Sequence, residues 1–209
     1  MTAILCYGDS NTWGCVPVAG DSPPARFAPD ERWPGVLGRE LGAEYSIVEA
    51  GLNGRTTVWE DGLAPYRNGR DLLLPTLYTA FPLDVVVVML GTNDLKRRFG
   101  LSAQEIAEGA GTLVDLIRAT GCGPTLGPPD VLLVCPPPVG PLDDGDVEFA
   151  GAEAKSRELA SCFAAVAEAR SCAFLDAGLH VSSSEADGIH LDRGAHEALG
   201  KAIADAVRA

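Results

Sequence analysis

Basic residues are scarce in this chain: 16 Lys and Arg stand against 29 Asp and Glu, for a formal net charge of −13 and a sequence pI near 4.5. Such a surface offers no basic face to nucleic acid or to an anionic membrane, and it suits neutral or cationic small molecules instead. Long apolar runs are missing as well. The stretch Val85 to Leu90 is strongly apolar but falls far short of the roughly 20 residues that cross a bilayer. No basic segment precedes an apolar one near Met1, so no secretory signal is read and a cytoplasmic protein is expected.

Metal-binding and cofactor patterns are also lacking. The cysteines Cys6, Cys15, Cys122, Cys135, Cys162 and Cys172 form no C-x-x-C and do not fall at metal-ligand spacing from a histidine. They are expected to be reduced, mostly buried thiols. A thiol nucleophile at Cys15, in the first loop, is the less fitting use of one of them. Absent too are the G-x-S-x-G elbow of α/β-hydrolases, the G-x-x-x-x-G-K-[ST] phosphate loop and the dinucleotide fingerprint, so no cofactor and no metal are expected.

What the chain does have is alternation. With 209 residues, 46% of them hydrophobic, it can fill one core, and no Pro/Gly/Ser linker divides it, so residues 1–209 are read as a single domain. Strand signals fall at 3–7, 45–49, 84–90, 131–135 and 173–175, and helical periodicity opens at Pro34 and covers 71–80, 102–120, 149–169 and the stretch from Arg193. Ser102 and Glu105 form a capping box for the third of these helices. Strand and helix in turn imply right-handed βα units. The expected fold is α/β: a flavodoxin-like three-layer α/β/α sandwich on a five-stranded parallel sheet.

A parallel sheet places its chemistry at the carboxyl ends of its strands, and four short blocks sit at such places. Gly8-Asp9-Ser10 ends the first strand, Gly51 to Thr57 follows the second, and Gly91-Thr92-Asn93-Asp94 follows the third. The fourth, Asp187-Gly188-Ile189-His190, sets a carboxylate three residues before a histidine. A serine nucleophile needs an oriented base and donors for the oxyanion. Ser10, His190 with Asp187, and the Asn93 amide are the candidates. His180 and His196 lack a carboxylate at that spacing, Asp192 reads as the N-cap of the last helix, and Asp94 reads as a turn residue.

Together the blocks resemble the SGNH hydrolase superfamily, the GDSL esterases and lipases. That resemblance implies Ser10 as nucleophile and first oxyanion donor through its N–H, Gly54 as a second donor, Asn93 as a third, and Asp187 with His190 completing a triad. Gly51 competes with Gly54, but Gly54-Arg55-Thr56 matches the family's Gly-x-Thr context. Asn11 stands where the family's name expects leucine. Gly8-Asp-Ser-x-Thr-Trp-Gly14, Arg26-Phe-Ala-Pro-Asp-x-Arg-Trp33 and Arg55-Thr-Thr57 are similar to the bacterial arylesterase and acyltransferase branch. That branch implies hydrolysis of short acetyl or aryl esters, acyl transfer to alcohols and a homo-oligomer.

Carbohydrate O-acetyl esterase activity is an alternative. Outside the family, Asp9, Asp94 and Asp187 gathered on Mg²⁺ would make a phosphohydrolase, and a flavodoxin-like module could bind without catalysis. The long segments Gly14 to Trp33 and Asn53 to Asn68 are expected to wall the site, with Trp13, Trp33 and Trp59 facing the pocket.

Overall fold

The computed structural model describes residues 1–18, 25–142 and 147–209. Pro23 and Pro24, part of the predicted wall, lie outside the described residues. Five strands form one parallel sheet: β1 (Thr2–Gly8), β2 (Tyr45–Gly51), β3 (Val85–Met89), β4 (Asp130–Cys135) and β5 (Ala173–Asp176), in the order β2-β1-β3-β4-β5. Among the described residues six α-helices connect or flank them: α1 (Ser10–Trp13), α2 (Trp33–Leu41), α3 (Gly69–Ala80), α4 (Ala103–Arg118), α5 (Ala152–Ala169) and α6 (Arg193–Arg208). The flavodoxin-like α/β/α expectation holds. No helix among the described residues is long and apolar enough to cross a membrane.

The unbroken apolar run of β3 has a simple cause. Val86 and Val88 pack into the layer that holds Leu73 of α3, Ile106 of α4 and Phe163 of α5. Val87 and Met89 face the opposite layer, with Leu37 of α2 and Leu199 and Ile203 of α6. A strand covered on both faces has no polar side to alternate with. Ser102 accepts from the Glu105 N–H while the Glu105 carboxylate takes the Ser102 N–H, so the predicted capping box is made.

Register decides where the chemistry goes. Gly8 lies level with Gly51 on one side and with Met89 on the other, so the first three blocks leave the sheet along one edge.

Trp33, expected at the pocket, is instead fully buried between α2 and α6. It opens α2, whose N-terminus has no side-chain cap of its own. His196 of α6 supplies the missing acceptor: its Nδ1 takes the Trp33 N–H at 3.3 Å. The imidazole is wholly enclosed, edge-on to Phe27, and burial pushes its pKa from 6.5 down to about 4. A proton on Nδ1 would oppose the Trp33 N–H and lose that bond.

The unfolded chain therefore takes up this proton near pH 6.5 and the folded chain only near pH 4. Stability from this group is intact above 6.5 and falls as pH drops through that window, by about 3 kcal/mol in all. Denaturant unfolding of the wild type and His196→Gln from pH 8 to 3.5 reads it. The stability advantage of the wild type should shrink by that amount between pH 6.5 and 4, and an advantage independent of pH would mean that His196 titrates freely in the fold.

Candidate active site

The short helix α1 begins one residue beyond β1. Asp9 caps it, accepting the Asn11 N–H on Oδ1 at 2.9 Å, which turns the chain so that Ser10 sits in the first helical position. Close packing makes this possible: a Cβ on Gly51 would lie 2.2 Å from the Trp13 backbone nitrogen. Gly51 is thus the residue that lets α1 rest on β2. Gly54 differs. Its φ of +80° is a left-handed turn conformation that favours glycine, and it lines the cavity that holds Ser10. Gly51 thus holds a packing position and Gly54 a cavity position.

The loop after β5 brings the fourth block to the same edge. His190 Nε2 lies 3.0 Å from Ser10 Oγ, and its Nδ1 lies 2.8 Å from Asp187 Oδ2. The other Asp187 oxygen accepts the N–H groups of Ile189 and His190 at 3.0 and 2.9 Å. One carboxylate thereby shapes the turn and holds the ring. Burial tends to raise the Asp187 pKa, but these bonds prevail and hold it below the usual carboxylate value.

For His190, burial pulls the pKa down, while the Asp187 bond and the Cys15 sulfur push it up. Asp192 caps α6 through the Ala195 N–H at 2.8 Å, as its position predicts. His180 is exposed and His196 belongs to the core.

Asn93 opens a single 3₁₀ turn just past β3, and its Nδ2 donates to the Arg55 carbonyl at 3.1 Å and faces Asp9 Oδ2 at 3.4 Å. Ser10, Gly54, Asn93 and His190 share one cavity of about 340 Å³. Cys15, Phe149 and Ile189 give it apolar walls; Asn53, Lys96 and Glu148 give it polar ones. Lys96 Nζ lies 3.4 Å from a Glu148 carboxylate oxygen and 5.6 Å from the centre of the Phe149 ring.

Trp13 and Trp59 are not among the residues that line this cavity. Trp13 lies under the Arg26 guanidinium, 4.9 Å from the ring centre, and Trp59 packs its indole against the core beside Val58. Asp94 lies in the 3₁₀ turn that Asn93 opens, and its carboxylate does more than turn the chain. It is fully buried and accepts the Thr57 N–H at 3.0 Å and the Thr57 hydroxyl at 2.5 Å. Consecutive residues, Asn93 and Asp94, thus grip Arg55 and Thr57, and so fix the loop that carries Gly54.

Arg55 was legible only as part of a motif, yet it is a buried cation that donates to the carbonyls of Gly8 and Ala50 and lies 4.1 Å from the centre of the Tyr7 ring. Burial pushes the carboxyls of Asp9 and Asp94 up to about 6 each. Asp9, Asp94 and Asp187 do not gather as a magnesium site would require: each carboxylate is bonded to a different partner. No cluster of three or more His, Cys, Asp or Glu suited to a metal occurs among the described residues.

Comparison with known proteins gives the same family. An aryl esterase from M. smegmatis is 43% identical, with a TM-score of 0.96 over 100% of this chain and 99% of that one. Est24, a carbohydrate acetylesterase from Sinorhizobium meliloti, is 40% identical with a TM-score of 0.96 over the same shares. No curated protein matches. Residues 6–198 match the GDSL-like Lipase/Acylhydrolase family, and by that match and these relatives the chain belongs to this family and is a carboxylic ester hydrolase.

Proposed function

We propose that Ser10 is acylated by short-chain esters, acetyl esters above all, and that a triad of Ser10, His190 and Asp187 carries out the hydrolysis. The observation behind this reading is the bonded line from Ser10 Oγ to His190 at 3.0 Å and on to Asp187 at 2.8 Å. His190 Nε2 takes the hydroxyl proton as Oγ attacks the ester carbonyl. Asp187 holds the imidazole with Nε2 free to accept and stabilises the imidazolium that results.

The oxyanion would be met by the N–H groups of Ser10 and Gly54 and by the Asn93 amide. At 3.4 Å the Asn93 contact with Asp9 is slack, so that amide hydrogen is free to turn to a developing charge. The imidazolium then returns its proton to the departing alcohol. Water attacks the acyl-enzyme with His190 again as base, releasing the acid and restoring Ser10.

A cavity of about 340 Å³ suits an acetyl group with part of its alcohol. The polar walls at Asn53, Lys96 and Glu148 favour a sugar alcohol, while Phe149 and Ile189 favour an aryl one, so both acetate classes are substrates to assay. Leu63 and Val147 are strongly exposed beside Glu148. A second copy of the chain covering them would narrow the mouth, lower the water around the acyl-enzyme and favour transfer to small alcohols.

The test of the nucleophile is covalent labelling. An organophosphate serine reagent should add to Ser10 in the mass spectrum, and Ser10→Ala should lose nearly all esterase activity with its melting temperature kept; activity within tenfold of wild type overturns the assignment. Asn93→Ala should lower kcat by about a hundredfold or more with little change in KM, since the bond strengthens only as charge develops. A loss confined to KM would make Asn93 a substrate-binding group. For transfer, vinyl acetate with a dilute primary alcohol should give more ester relative to acetate than the alcohol-to-water ratio, in a protein that runs as an oligomer. A product ratio at or below that value, or a monomer in solution, leaves plain hydrolysis.

A further inference from the structure

Asn11 follows the proposed nucleophile and is 1% exposed. Its side-chain amide reaches across 178 residues of sequence to donate to the Ile189 carbonyl at 3.2 Å. On its other side the Leu191 N–H donates to Asn11 Oδ1 at 3.0 Å. The two partners flank His190, and they also fix which end of the amide is nitrogen, because one partner accepts and the other donates. Ser10 and Asn11 therefore make three bonds to the tripeptide 189–191: the Ser10 bond to the ring, and two that bracket the backbone on either side of it.

The bracket is specific to an amide. Asparagine carries a donor and an acceptor side by side in one plane, as a peptide group does, and so can pair with a chain segment as a neighbouring strand would. Aspartate keeps the acceptor but turns a second oxygen on the Ile189 carbonyl. Leucine, the residue in the family's name at this place, offers neither, and it would leave the buried Leu191 N–H and the part-buried Ile189 carbonyl without these partners. Asp187, by contrast, lies in the same loop as His190 and moves with it. Asp187 sets the ring's tautomer and tilt, while Asn11 ties that loop to the helix that bears Ser10.

We infer that Asn11 is a positioning residue of the ester-hydrolysing reaction, holding His190 Nε2 within bonding distance of Ser10 by bracketing Ile189 and Leu191. This rests on the proposed roles of Ser10 and His190. A base displaced by about 1 Å from its nucleophile costs up to about a hundredfold in rate.

The experiment compares Asn11→Leu, Asn11→Asp and Ser10→Ala with wild type on an aryl acetate. For Asn11→Leu we expect kcat to fall by about ten- to a hundredfold, with KM within about twofold, because the bracket touches no substrate. The rising limb of its kcat/KM against pH should keep its place, since the His190–Asp187 pair stays whole. Asn11→Asp keeps one of the two bonds and should also lose kcat. Either Asn11 variant folded and within twofold of wild-type kcat overturns the inference, as does a loss confined to KM. Variants that fail to fold, or whose loss of rate merely follows loss of melting temperature, assign Asn11 to stability and overturn it as well. An active Ser10→Ala would instead bring down the underlying triad, so the two failures are told apart.

Discussion

Everything at this site depends on the level at which three neighbouring parallel strands stop. Gly8 of β1 pairs with Gly51 of β2 and with Met89 of β3, so three loops begin at one height. A slip of one residue in a parallel pair would turn every side chain to the other face and carry its loop off by about 3.3 Å. Two covered layers prevent that slip, since Val86 and Val88 belong to one and Val87 and Met89 to the other. Core packing and site geometry are therefore the same constraint seen from two ends of the strand.

Beneath the cavity lies a second, polar constraint. Asp9, Arg55 and Asp94 are buried together with Thr57 and Asn93. Charges in such a place are tolerated only when bonded, and here each carboxylate has backbone or hydroxyl donors. The result is a loop held from below, with Gly54 fixed by its neighbours Arg55 and Thr57. Asp9 adds an electrostatic part. The His190 charge lowers the Asp9 pKa against its burial, and that attraction is mutual, so an ionised Asp9 favours a protonated imidazole.

Sequence patterns reach some of this and not the rest, for identifiable reasons. The strands, the Ser102 capping box and the Asp192 cap depend on residues within a few positions of one another, and such patterns can be read locally. Ser10, Asn93, Asp187 and His190 could be picked out because each lies in a short block at a strand end or before a helix. The tryptophans could not be placed. An indole in an irregular segment is equally satisfied by core, by a guanidinium or by a pocket, and Trp33, Trp13 and Trp59 take the first two. Asp94 has the composition of a turn residue, and nothing local announces a hydroxyl 37 residues away. Asn11 was visible as a departure from a name, while its partners lie at the far end of the chain.

The sheet delivers Ser10, the glycine loop and the Asn93 amide, but the His190 imidazole comes from a loop beyond β5, docked against α1 from outside the sheet. Synthesis proceeds from Ser10 toward His190, so a growing chain carries three of the four blocks long before the last one leaves the ribosome. Until residues 187–191 dock, Ser10 lacks its bond to His190 and the Asn11 amide has no chain to hold. The order of the blocks along the polypeptide thus makes the closing of this cavity the last step for the nascent protein, after the strands that form its scaffold have been made.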